Sequence, residues 1–396
     1  MAFMSVAFAL TGTLTGAVAL AAPIAPQDPD PPAWRWEAAY TVDAIGLMDG
    51  LQSRPVRLLD NFDLIVDGDL ERQFGWRGAR FHASLLANGG AEPNALGGTL
   101  QGFDNIEVEG QGVRLFEAWL EQDLADGRAS LLAGLYDVNS EFYVTDASDQ
   151  LLAPPFGIGT ELAATGVNGP SIFPSTGLAV RLRIGTRESA WLQAAAVNAR
   201  ASTLGDPDGV DTRFDDGLLY LAEAGWSGPV RLVVGGWTYS EPQDDIRDLA
   251  PGGEPRRRDA RGGWLLAERT LVETEQRRLQ AFIRLGVSDG DTTDFRGGWQ
   301  AGLKADGVTP GRPDSTLSFG LHGVRLSDKA RANLSDAGID SATAESGLEL
   351  TYADTFGPVT VQPDLQWIRN PGGDEDRDAL LVVGLRVILA FGGGQD

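Results

Sequence analysis

A chain of 396 residues with 56 acidic against 32 basic side chains carries a formal net charge of −24, which argues against nucleic acid as a partner. Past the first two dozen residues no apolar run reaches about 18 residues, so no helix of the mature chain spans a bilayer. A hydrophobic content of 42% and a mean hydropathy of −0.13 look soluble, yet 51 glycines, 10 tryptophans and 16 phenylalanines suit a β-barrel with a polar lumen, which can reach this length as one domain.

The chain opens on an apolar stretch, Met1 to Ala22, that closes on Ala19-Leu20-Ala21 and reads as a signal peptide over 1–22, although a basic n-region is missing. Residues 23–36 form a proline-rich lead-in, and 37–396 the expected barrel. The absence of cysteine fits an oxidising compartment.

Beyond the lead-in, segment after segment alternates with period two, as a strand with unlike faces must. Ala79, Phe81, Ala83 and Leu85 alternate with Arg80, His82 and Ser84. Phe116, Ala118 and Leu120 alternate with Glu117, Trp119 and Glu121, and Leu178 to Ile184 with Arg181 and Arg183. Leu279 to Val287 oppose Arg278, Gln280, Phe282 and Arg284, and Leu317, Phe319 and Leu321 oppose Ser318 and His322. Val359 to Trp367 oppose Gln362, Asp364 and Gln366, with Pro363 marking a local irregularity. In the last segment Ala379, Leu381, Val383, Leu385, Val387, Leu389 and Phe391 are wholly apolar, while the other phase holds Gly384 and Arg386.

The pattern predicts strands near 39–49, 57–66, 76–87, 112–124, 129–137, 177–186, 188–198, 218–226, 229–239, 262–272, 277–287, 297–305, 315–326, 345–354, 357–369 and 378–391. The fold class is therefore all-β, a transmembrane antiparallel up-and-down barrel of about sixteen strands. Short joins such as 124–129 and 354–357 alternate with long ones at 87–112, 137–177, 198–218, 239–262 and 326–345, so long loops lie at one end and short turns at the other. A soluble antiparallel sandwich would share the period-two signal but has no reason for this rhythm.

Several runs resemble the carbohydrate-selective porins of the OprB type. They are E-A-W-L-E-Q at Glu117–Gln122, A-G-L-Y-D-V-N-S-E-F-Y-V-T-D-A-S at Ala133–Ser148, T-G-V-N-G-P-S-I-F-P-S-T at Thr165–Thr176 and Q-P-D-L-Q-W-I-R-N-P-G at Gln362–Gly372. The resemblance implies a Gram-negative outer-membrane barrel, narrowed by inward-folded loops, through which sugars diffuse. Outer-membrane lipid and the barrel-assembly machinery follow as partners, with monomer or trimer left open and no cofactor or energy source implied. The family ends on a terminal aromatic residue, whereas here Phe391 is followed by Gly-Gly-Gly-Gln-Asp.

A sugar channel needs hydrogen-bonding groups for hydroxyls and aromatic faces for the apolar sides of pyranose rings. Glu117, Trp119 and Glu121 share one strand face, two acceptors around an aromatic platform, unless Trp119 belongs to an interfacial girdle. Arg80, His82, Arg181, Arg183, Arg278, Arg284 and Arg386, with Glu268, Glu349, Gln362 and Asp364, fall in polar phases and read as pore lining or as a salt-bridged wall. The long connection 138–176 carries Asn139, Glu141, Phe142, Tyr143, Phe156 and Phe173 in a Gly/Pro frame and is expected to form the constriction, the alternative being an outward cap. Asp206 to Asp216 match no EF-hand and read as an acidic surface loop, and the two histidines suggest no metal site. A general or ion-selective porin is the alternative function. A barrel hydrolase, which lacks any catalytic motif and would need Ser84 or Ser318 bonded to a histidine, and a loop-borne adhesin are the other classes.

Overall fold

The structure is a computed structural model that describes residues 32–50 and 52–395. The signal peptide and most of the lead-in lie outside the described residues. Sixteen long strands follow one another around a closed barrel: β1 (Trp34–Asp49), β2 (Arg57–Asp69), β3 (Ala79–Gly90), β4 (Gly112–Leu124), β5 (Ala129–Tyr136), β6 (Gly177–Gly185), β7 (Ala190–Asn198), β8 (Leu218–Ser227), β9 (Arg231–Tyr239), β10 (Arg261–Glu273), β11 (Arg278–Ser288), β12 (Phe295–Asp306), β13 (Thr316–Leu326), β14 (Ala344–Phe356), β15 (Val359–Arg369) and β16 (Leu380–Gln395). Each pairs antiparallel with its neighbours, and β1 closes the ring on β16 from Trp34↔Gln395 to Asp49↔Leu380. Closure matters because it leaves no sheet edge unpaired in lipid.

The alternation sorts the two faces. Outward residues such as Ile283, Leu285, Val287, Val383 and Leu385 are exposed, whereas the intervening Arg284 and Arg386 are almost wholly buried inside. An exposed apolar band of this size is a liability in water and the natural surface in a bilayer. The connections 70–78, 125–128, 186–189, 228–230, 274–277, 307–315 and 357–358 share one end with the described N-terminal and C-terminal residues. The long connections 91–111, 137–176, 199–217, 240–260 and 327–343 share the other. The asymmetry is not absolute, since 289–294 is short at the long end, and 70–78 holds a small helix, Leu70–Phe74, capped by Asp69.

All sixteen expected strands are present, with differences at the seams. β1 starts at Trp34, ahead of the expected 39 and inside the lead-in, because β16 does not stop at Phe391. Gly392, Gly393 and Gly394 continue the strand and pair with Glu37, Trp36 and Arg35. Pro363 interrupts the β14–β15 ladder between Thr351↔Asp364 and Asp354↔Val361 without changing register. In β4 the register shifts between the pairs Ser84↔Glu117 and Leu85↔Leu115, which leaves Phe116 as an extra residue. Phe116 was expected to face outward with Ala118 and Leu120, but the bulge turns it into the barrel, where it is 4% exposed.

Candidate functional site

The connection 137–176 folds into the lumen and is tied to the wall along most of its length. Asp137 N–H donates to Glu117 Oε1 (3.0 Å), Tyr143 N–H to Glu223 Oε2 (3.0 Å) and Ala147 N–H to Glu268 Oε1 (2.5 Å). Leu152 N–H and Ala153 N–H donate to the two oxygens of Glu349 (2.5 and 2.9 Å), and Gln362 Nε2 donates to Gln150 O (2.7 Å). Arg284 donates to three loop carbonyls, Tyr143 O (3.0 Å), Pro155 O (2.6 Å) and Gly157 O (2.8 Å), with its guanidinium 5.1 Å from the Tyr143 ring centroid. An irregular segment at membrane depth has unpaired backbone groups, and without water these need partners from the wall. The polar phases of β4, β8, β10, β11, β14 and β15 supply them.

Charge pairs reinforce the ties. Glu141 accepts from Arg181 Nε (2.6 Å) and Arg183 Nη1 (2.8 Å), and Glu121 accepts from Arg181 Nη2 (2.8 Å) and Arg80 Nη2 (3.0 Å). Burial pushes the Glu141 carboxyl up, but Arg181 and Arg183 outweigh it and hold it below the usual carboxylate range. Asp146 pairs with Arg231 (3.0 Å) and Asp149 with Lys304 (2.7 Å). Glycines on the wall make room: a Cβ on Gly286 would lie 1.6 Å, and one on Gly298 2.4 Å, from the Glu161 carboxylate. That carboxylate is held by Tyr143 Oη (2.7 Å). Phe142, Tyr143 and Phe156 are buried between loop and wall, Tyr143 stacked on Trp264 (5.1 Å) and Phe156 edge-on to Phe282 and His322.

The connection 91–111 also folds inward. Leu100 N–H and Gln101 N–H donate to Glu345 (2.8 and 3.0 Å), Gln366 Nε2 donates to Phe103 O (2.7 Å), and Arg386 Nη2 donates to Asn105 Oδ1 (2.8 Å). Arg386 also grips Asp43 through Nε and Nη2 (2.9 and 2.6 Å), joining β16 to β1. Burial, with Asp43 beside it, pushes the Asp104 carboxyl above the usual range, and Arg386 at 3.7 Å offsets only part of this. Phe103 and Ile106 pack under the outer ends of β1, β2, β15 and β16 with Ile45, Leu59, Ile368 and Leu380.

A strip of wall on β1 to β3 differs. Asn88 Nδ2 donates to Asn61 Oδ1 (2.5 Å) and Asn61 Nδ2 to Asp63 Oδ2 (2.5 Å), while Thr41 Oγ1 and Asn88 Oδ1 are buried without a hydrogen-bond partner among the described residues and His82 Nε2 lies 3.5 Å from Glu117 Oε2. Beside the strip, toward the short-turn end, His82 bonds Asp67 (2.7 Å) and stacks on Trp119 (4.7 Å, 14° between planes). Trp119 Nε1 donates to Glu117 Oε1 (3.2 Å). Gly134 lies opposite Trp119 with φ +147°, where a Cβ would strike Ala118 O at 2.2 Å, so this pairing requires glycine.

Comparison with known proteins bears on what this arrangement does. Residues 54–391 match the model of the carbohydrate-selective porin, OprB family. The chain belongs to that family. It is 25% identical over 399 aligned residues to Porin B of Pseudomonas aeruginosa, covering 89% of this chain and 86% of that one. Its fold is similar to the high-pH structure of Pseudomonas putida OprB (TM-score 0.80, 21% identity, 91% and 94% of the two chains). It is also similar to the outer-membrane channel DcaP of Acinetobacter baumannii (TM-score 0.55, 11% identity, 90% and 97%). The porin is thus a Gram-negative outer-membrane barrel and a carbohydrate channel, with the short turns on the periplasmic side.

The residues singled out from sequence fall into three groups. Arg181, Arg183, Glu117, Glu121, Glu268, Arg284, Gln362 and Glu349 bond the 137–176 loop or its ion pairs, and Arg386 bonds the 91–111 loop. Asn139 donates Nδ2 to Phe142 O and Gly157 O inside the 137–176 loop, and Asp364 accepts from Gln366. Arg80, His82 and Trp119 lie toward the periplasmic end, Arg278 sits exposed at that end near Glu273, and Phe173 sits at the outer mouth. Asp206, Asp211 and Asp216 brace outer loops through Arg114, Asn198 and Arg200. Ser84 Oγ accepts from Glu117 N–H, while Ser318 Oγ and both His322 ring nitrogens have no hydrogen-bond partner among the described residues. Sequence reading placed Gln366 in the polar phase but missed the inward course of 91–111, and Glu223 and Glu345 as wall groups. Those two carboxylates sit in polar phases and were findable by the same alternation.

Proposed function

We propose that monosaccharides and related small polar solutes cross the outer membrane by diffusion along the β1–β4 side of this barrel. They pass between the two inward loops and over the surface formed by Thr41, Asn61, Asp63, His82, Asn88 and Trp119. The observation that carries the reading is the contrast in hydrogen bonding. The charged groups Glu223, Glu268, Arg284 and Glu349 of β8–β14 are committed to backbone of the 137–176 loop, whereas Thr41, Asn61, Asp63 and Asn88 are bonded to no loop backbone among the described residues. Water-mediated and hydroxyl-mediated bonds are readily exchanged, as a conducting path requires. Trp119, held by Glu117 and His82, offers a ring face for the apolar side of a pyranose, and Arg80, Arg183 and Asp67 add partly exposed charge at the periplasmic end. Outer-membrane lipid against the apolar band and the barrel-assembly machinery complete the set of partners.

The test is a sugar titration of ion current through the purified barrel in planar bilayers. Current should fall saturably as glucose is added, because a sugar in the passage displaces ions. A current independent of sugar, with channels present, points instead to a general porin without sugar preference.

A further inference from the structure

At the outer mouth, away from the strip just described, lies a cavity of about 430 Å³. Its size falls within the range of roughly 300–1,000 Å³ typical of small-molecule sites. It is two-sided. One wall is apolar and comes from the end of the 137–176 loop, Ile172, Phe173 and Pro174. The other is polar and charged, with Glu109 and Arg114 near the start of β4 and Arg200 after β7.

Both walls are built rather than incidental. Ser175 N–H donates to Ile172 O (3.0 Å), closing a tight turn that presents Phe173. The base of this turn is fixed by Ser171 Oγ donating to Tyr136 O (2.6 Å) and by Thr176 Oγ1 bonded to Phe116 O. The Phe173 ring meets Phe116 edge-on at 6.2 Å, so the bulge that turns Phe116 inward is what braces it. Opposite, Arg114 is locked by Nε to Asp206 Oδ1 (2.7 Å) and Nη2 to Gly110 O (3.2 Å). Its Nη1, with the residue only 8% exposed, is buried and has no partner. A guanidinium N–H kept dry and unpaired is costly, so a site that supplies an acceptor there gains by doing so.

We infer that this cavity is an outer docking site for a neutral mono- or disaccharide, which captures the sugar before it enters the narrow passage; the inference rests on the sugar-channel reading above. A pyranose has one face of C–H groups and a rim of hydroxyls. The first suits the Phe173 and Pro174 surface, and the second supplies acceptors for Arg114 and donors for Glu109. An anionic solute fits less well, because Glu109 stands in the polar wall and the chain carries a net charge of −24.

The experiment is glucose and maltose uptake into liposomes holding the full-length barrel, over a wide range of sugar concentration. Salt conductance of each variant serves as a check on folding. In Phe173→Ala the half-saturating sugar concentration should rise by roughly 2–10-fold, the span expected for loss of one aromatic stacking contact. Phe173→Trp should retain the parental value. Phe173→Leu nearly conserves volume, so it decides the matter if the alanine variant alters salt conductance, and it should weaken uptake as the alanine variant does. Curves for Phe173→Ala and Phe173→Leu that superpose on the parent overturn the docking site while leaving the channel intact. No uptake by the parent overturns the channel reading and this site with it.

Discussion

The inward faces of β8–β15 and of β1–β3 are built from the same kinds of residue and differ in what those residues bond. Arg284, Glu268 and Glu349 hold backbone of the 137–176 loop and are shut away from solvent behind it. Thr41, Asn61, Asp63 and Asn88 bond one another or nothing. A polar residue in the inward phase is therefore not by itself a solute contact. On one side of the barrel such residues fix the 137–176 loop, and on the other they bond within the wall, which is the side proposed above for the passage.

Removing the strongest tie should collapse the distinction. Arg284→Ala leaves the carbonyls of Tyr143, Pro155 and Gly157 without their buried donor, a change expected to cost roughly 1–3 kcal/mol for buried acceptors left unpaired. The loop should loosen and single-channel conductance should rise, while the barrel itself stays folded. Unchanged conductance and unchanged protease resistance of the loop would show that the tie is not what closes that side.

Mild acidification should loosen neither loop. The Glu141 carboxyl is held below its ordinary value, so its tie to Arg181 and Arg183 is at full strength above about pH 4.3, the unfolded value. That tie is lost only as pH falls through the lower folded value. Asp104 is raised instead, so its contribution is full below about pH 3.9 and fades as pH rises through its folded value. Between pH 7 and pH 5 the 91–111 loop should gain hydrogen-exchange protection, after correction for intrinsic rates, and 137–176, where Asp137, Asp149 and Glu161 are also raised, should not lose any. Loosening of 137–176 in that window would contradict the assignment of Glu141.

The smallest effect is expected at the platform. Trp119→Ala removes a ring stacked on His82 and should weaken sugar block of the current by about 0.5–1.5 kcal/mol, with little effect on folding. A large loss of barrel stability without change in sugar block would make Trp119 a structural residue only.

Most of the barrel was legible because strand facing follows from alternation alone, and all sixteen strands could be placed. Apart from Glu223 and Glu345, what escaped had no side-chain signature of its own. Gly392 to Gly394 show no alternation, yet their backbone groups pair with Arg35 to Glu37 as well as any others. The bulge at Phe116 is one inserted residue, and it reverses the facing of everything before it in β4. The inward course of 91–111 depends on Glu345, Gln366 and Arg386, which lie far along the chain. For Arg284 and Glu268 the phase disclosed the direction of the side chain but not its partner. That partner belongs to a loop with no periodicity to read.

Since the chain has no cysteine, single introduced thiols report on the passage without background. Ser84→Cys on the β3 wall and Ser318→Cys behind the 137–176 loop place equally small, equally inward groups on the two sides. A charged thiol reagent should react with Ser84→Cys and block its current, and leave Ser318→Cys conducting. Rapid block at Ser318→Cys, with Ser84→Cys inert, would put the passage on the other side of the barrel.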